Sequence, residues 1–200
     1  MRKCGIILVA IGLILLIFQF NYKKSLDNIN EENVNTYIEE TSVIEEQTIE
    51  NNKEETKTDY KEKNEITYTA ILEIPKINLK RGVVDSTKNF KSINYAISVD
   101  NSSHYPDENG NFILYSHSGN SSIAFFNRLN KLDLGDDIYI YYKGIKHHYE
   151  IKNKYNIEKT GKAEVISGNK NKYITLITCN PNQKGYQIVI EGIIVDEINY

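Results

Sequence analysis

Residues 173–181, YITLITCNP, read as a β-strand that ends on a thiol. Ile174, Thr175, Leu176, Ile177 and Thr178 are strand formers, and Asn180 with Pro181 stops the run just past Cys179. Around it the chain is punctuated in the same way. NFILYSH (111–117) is a second strand, entered through the turn PDENGN. ILEIPKI (71–77) is strand-like, with Pro75 at an edge or bulge. RGVVDS, NYAIS, DIYIYY, KGIKHHYEIKNKYNI and YQIVIEGIIV supply further short β segments. One helix is predicted, SSIAFFNRLNKL (121–132), capped by Ser121 or Ser122, with Phe125, Phe126, Leu129 and Leu132 as its apolar face. Many short strands with so few helices predict a mainly β protein, a closed or nearly closed barrel.

The barrel does not account for the whole chain. Residues 5–20, GIILVAIGLILLIFQF, carry no charge and lie between Arg2, Lys3 and Lys23, Lys24. With Asn21 and Tyr22 the run approaches the roughly 20 residues of a spanning helix, and Tyr22 suits the interface. A cleaved signal peptide needs small residues after the apolar run, and Phe18, Gln19, Phe20, Asn21 and Tyr22 fill that place instead. Residues 1–24 are therefore read as an uncleaved membrane anchor. Residues 25–66 follow as an acidic, disordered stalk, with a transient helix around Val34, Tyr37 and Ile38 as the alternative. Residues 67–200 form the folded domain, placed outside the cell. The three zones carry net charges of +4, −9 and +2, which give the chain its −3. The near-neutral domain has no basic stripe, which argues against nucleic acid as a partner.

Cysteine usage adds chemistry. Cys4 precedes the anchor and Cys179 lies on the exported side, so the two cannot pair. A lone thiol in an oxidising compartment suggests a nucleophile. A cysteine nucleophile needs a base or a cationic neighbour. His147 and His148 sit on a strand of alternating polarity, one facing solvent and the other at most half-buried. His104 lies in a polar loop. His117 ends a strand and precedes Ser118, Gly119 and Asn120, the same architectural position as Cys179.

Four ordered segments resemble the sortases, cysteine transpeptidases of the Gram-positive cell surface. They are LEIPKINL (72–79), PDENGNFILYSHSGN (106–120), FFNRLNKLDLGDDIYI (125–140) and TLITC (175–179), the last being the most specific. The resemblance implies a membrane-anchored, single-domain sortase-like barrel with Cys179 as nucleophile and His117 as the acid and base. It implies cleavage of a Leu-Pro-x-Thr-Gly-like sorting signal through a thioacyl intermediate. The partners would be surface proteins bearing that signal and a peptidoglycan-precursor or pilin amine. Sortases usually carry an arginine on the strand after the cysteine. Here Gln187 stands in that place, and the only arginines are Arg2, Arg81 and Arg128. Gln187, Lys184, the Thr178 hydroxyl and the Asn180 N–H are the candidates for holding the oxyanion or substrate. Some sortases bind calcium near the loop before the cysteine strand. That loop is lysine-rich here with Glu164 as its acid, and neither a metal nor another cofactor is expected. The competing readings are a hydrolytic cysteine protease using the same pair and a catalytically weakened surface-binding module.

Overall fold

A computed structural model describes residues 2–42, 67–86, 96–160, 162–166, 168 and 170–200. It contains a long N-terminal helix, α1 (Arg2–Ser42), and eight strands. These are β1 (Ala70–Ile74), β2 (Leu79–Asp85), β3 (Ile97–Val99), β4 (Gly110–Tyr115), β5 (Asp137–Tyr142), β6 (Ile145–Glu158), β7 (Lys172–Cys179) and β8 (Tyr186–Asn199). The strands close into a barrel in the order β1-β2-β3-β4-β7-β8-β6-β5. Two of the pairings, β2 with β3 and β4 with β7, are parallel. Closure leaves no sheet edge among these strands to pair with another chain.

Side-chain alternation decides what fills the barrel and what coats it. Phe112 and Leu114 of β4, Ile174 and Leu176 of β7, and Ile188 and Ile190 of β8 belong to one buried core. Their in-between neighbours on the same strands, up to Cys179 and Gln187, therefore line the outer face. β6 starts with its odd residues inward, since Tyr149 and Ile151 are core. A bulge between Ile151 and Asn153 shifts the register against β8. Beyond it Asn153, Tyr155 and Ile157 stand across from Glu191, Val189 and Gln187, on the outer face.

The local elements differ from the sequence reading in four places. Residues 121–132 form turns and a 3-10 helix, Leu129–Lys131, rather than an α-helix. Phe126, Leu129 and Leu132 are buried as the apolar pattern predicts. The segment is too short to be helical by propensity alone, and it is pinned by a backbone bond from Phe126 N–H to His117 C=O (3.0 Å). Pro75 ends β1 and opens a 3-10 turn, Pro75–Ile77, which Asn78 closes with φ 50°. His147 is fully buried rather than half-exposed. Its Nδ1 lies 2.6 Å from Glu197 Oε1.

The fourth difference is α1. It continues through residues 25–42, where composition predicts a solvated stalk; residues 43–66 of that stalk lie outside the described residues. The helix is docked. Val34 is 3% exposed, Tyr37 donates its hydroxyl to Thr69 C=O at 2.8 Å, and Thr41 and Tyr200 share a hydroxyl bond of 2.7 Å. Asp27 pairs with Arg81. Among the described residues α1 is the one helix long and apolar enough to cross a membrane, which is compatible with an anchor.

Candidate active site

β4 and β7 run parallel and side by side, with Tyr115 registered on Ile177. His117 follows Tyr115 by two residues, as Cys179 follows Ile177. Both are half-buried and both follow the outward parity of their strands. Two bonds fix these strand ends. The buried Thr178 hydroxyl donates to Ser116 C=O (2.9 Å), one residue before Cys179 and His117 on their segments. Phe126 N–H holds the His117 carbonyl from the following loop.

On the other side of Cys179, Gln187 of β8 is its direct cross-strand partner, and Ile157 of β6 is the partner of Gln187. Cys179, Gln187 and Ile157 thus form one row across β7, β8 and β6. Gln187 is half-buried and shares its face with Glu191 rather than with core Ile188 and Ile190. Lys184 is exposed in the turn joining β7 to β8. That turn is built by Asn180: its Oδ1 accepts from Asn182 N–H (2.9 Å) and its own N–H donates to Tyr186 C=O (2.9 Å). The Asn180 N–H and the Thr178 hydroxyl are therefore both engaged within the fold, and neither is free to meet a substrate oxygen in this state. Arg81 is committed to α1, and Arg128 donates to Ile77 C=O. His104 is exposed and packs on Gly110, while His148 pairs with Asp137.

Two features of the site escape sequence reading. Lys159, the residue after β6, directs its Nζ to Cys179 Sγ at 3.5 Å. Glu191 is a buried carboxylate, 3% exposed. Its Oε1 accepts from Ile166 N–H (2.8 Å) and Tyr155 hydroxyl (3.0 Å), and its Oε2 from Asn153 (3.1 Å). Burial and the bond to Glu191 push the Tyr155 hydroxyl up to about 12. Asn111 completes the clamp by donating to Ile166 C=O (2.8 Å), while Thr175 donates to Asn111 Oδ1 (3.0 Å). The loop between β6 and β7 is thereby held across the outer face by both polar groups of one peptide residue. A Glu eight positions from the end of an apolar strand gave no sign of this, because its partners come from distant segments.

Among the described residues no group of three or more His, Cys, Asp or Glu could hold a metal ion. Asp107 is paired with Lys143, and Asp133 and Asp136 with Lys76.

A closed eight-stranded barrel with a half-buried thiol at the end of β7 and an imidazole two residues past β4 is the arrangement to compare with known proteins. The family model described as Sortase domain matches residues 72–195, and the chain belongs to the sortase family. Sortase D of Bacillus subtilis (strain 168) is 28% identical over 113 residues, 56% of this chain and 54% of that protein. The chain thus spans about half the length of this curated relative. Among solved structures, a Sortase D5 transpeptidase of Clostridium perfringens superposes with a TM-score of 0.57 at 21% identity, covering 66% of this chain and 84% of that one. Sortase A of Listeria monocytogenes gives 0.57 at 20% identity, covering 66% and 90%. Sortase C1 of Streptococcus suis gives 0.59 at 23%, covering 66% and 74%. At these identities the structural likeness establishes the fold.

Proposed function

We propose that the chain is a cysteine transpeptidase that cuts a Leu-Pro-x-Thr-Gly-like sorting signal between Thr and Gly and joins the new carboxyl end to an amine. The observation that supports this reading is the parallel pairing of β4 with β7, whose register ends on Tyr115 and Ile177, two residues before His117 and Cys179. The thiolate of Cys179 attacks the Thr carbonyl carbon and a C–S bond forms. The C–N bond to Gly then breaks, and the leaving amine takes a proton from the His117 imidazolium. A second amine attacks the thioester and gives its proton back to the imidazole as the sulfur departs as thiolate. The cycle needs no water, and the pair returns to its starting charges.

Gln187 is the neutral donor best placed for the substrate or the oxyanion, directly across from the thiol. Residues 5–22 hold the protein in the membrane, residues 1–24 act as the anchor, and the barrel of residues 67–200 works outside. The donors are surface proteins with a sorting signal, and the acceptor is a peptidoglycan-precursor or pilin amine.

The test uses the full chain in detergent with a panel of sorting-signal peptides, with and without an added amine, read by mass spectrometry. A thioacyl adduct on Cys179 and an amine-dependent ligated product are expected. Cys179→Ala should abolish both, and His117→Ala should lower turnover about 10²- to 10⁴-fold. Free acid alone at every amine concentration would make the protein a hydrolase. No adduct and no processing by the parent chain would leave a binding module.

A further inference from the structure

We propose that Lys159 is a catalytic residue that supplies the positive charge for the Cys179 thiolate; the proposal rests on Cys179 being the nucleophile. Three observations place it there. The first is contact: Lys159 Nζ lies 3.5 Å from Cys179 Sγ, within reach for a charged donor on sulfur. The second is the backbone that aims it. Lys159 N–H donates to Gly185 C=O (2.8 Å), extending the β6–β8 pairing one step past Glu158 and Tyr186. Gly185 takes φ +87°, a conformation that suits glycine and lets the turn offer that carbonyl. Thr160 N–H then turns back onto Glu158 C=O (2.8 Å), which ends the strand. The third is availability. Among the described residues Lys159 has no carboxylate partner, whereas Lys76, Lys143, Lys152 and Lys172 all do.

The bulge in β6 decides the geometry. With unbroken alternation from core residues Tyr149 and Ile151, position 159 would point inward. The extra residue between Ile151 and Asn153 turns it to the outer face. From there its Nζ reaches the sulfur at 3.5 Å. This supplies a cation where the strand after the cysteine carries only an amide. An ammonium next to a sulfur favours the thiolate, the form that attacks. Lys184, in the exposed turn, makes a matched control.

The experiment measures iodoacetamide labelling of Cys179 as a function of pH, on the full chain in detergent, by peptide mass spectrometry that separates Cys179 from Cys4. Iodoacetamide is neutral, so its rate reports the thiolate and not attraction of the probe. Lys159→Met should label about tenfold more slowly at pH 7, with the gap closing at high pH, where every thiol is ionised. Lys159→Arg should stay within about threefold of the parent, and Lys184→Met should match it. Parent-like labelling of folded Lys159→Met would overturn the proposal. So would a slowing equal at all pH values, which would mean altered access to the thiol. Labelling needs no substrate, so it separates this proposal from the transpeptidase reading. If Lys159→Met shows the pH-dependent loss while no peptide is processed by the parent, the charge role stands and the transpeptidase reading fails.

Discussion

Removing the Glu191 carboxylate should free the loop between β6 and β7 without unfolding the barrel. Glu191→Leu deprives three donors of their acceptor: Ile166 N–H, Tyr155 hydroxyl and Asn153 amide. Asn153 is exposed and finds water. The other two are part-buried, and a hydrogen bond to a charged group contributes about 1.5–3 kcal/mol. Two such bonds would cost about 3–6 kcal/mol, and rehydration after the loop lifts should reduce this to about 2–4 kcal/mol. Glu191→Gln is the contrasting change. Its carbonyl oxygen can still face Ile166 and Tyr155, and Asn153 can turn its own oxygen toward the new amide. Only the charge is lost, at about 1 kcal/mol. The assay is amide hydrogen exchange of residues 162–166 in the full chain. Exchange through local opening should quicken roughly 30- to 1,000-fold for Glu191→Leu and about fivefold for Glu191→Gln. Unchanged exchange at Ile166 in Glu191→Leu would refute the clamp. Equal damage from both variants would show that shape, not the acceptor, holds the loop.

Three further predictions concern the strand ends and pH. Thr178→Val removes the bond to Ser116 C=O that ties β4 to β7, and should cost about 1–2 kcal/mol in thermal unfolding together with a lower turnover. Ser116→Ala should be neutral or gain up to about 1 kcal/mol, because its buried hydroxyl has no partner among the described residues; a clear loss would contradict this. His147 is held below its ordinary value of 6.5 by burial, against the pull of Glu197. A folded state that resists protonation loses stability as pH falls below the unfolded value, so melting temperature should drop between about pH 7 and 5. Burial raises Glu197, but Lys172 and His147 outweigh it and leave it below 4.5, so its contribution is lost only at lower pH. His147→Phe should flatten the pH 7 to 5 slope, and an unchanged slope would assign the effect elsewhere.

Much of the architecture is written in local pattern. The alternation in ITLIT and NFILY marks strands, and the uncharged run at 5–20 marks the apolar helix. Cys179, which ends β7, and His117, two residues past β4, are legible as a candidate pair because strand ends come to the rim of a sheet. Local pattern misleads where tertiary bonds override it. The apolar residues of 121–132 are buried as predicted, yet the Phe126–His117 tie and the barrel rim bend the segment into turns. Val34, Tyr37 and Ile38 carry a helical spacing that composition outvotes, until docking on the barrel supplies the burial that a lone helix lacks.

By itself the sequence determined the mainly β class and the apolar N-terminal segment, and it singled out Cys179 and His117 as candidates, because each depends on neighbours a few residues away. Only the tertiary structure decided that β4 lies beside β7, that Gln187 faces the thiol, and that Glu191 grips Ile166. It also decided which cation stands at the sulfur. Lys159 is 20 residues from Cys179 in the chain, and a single bulge in β6 turns it from the core side to the reactive face. Such contacts depend on register between strands, and one inserted residue inverts them while leaving the composition and local propensities that a sequence displays almost unchanged.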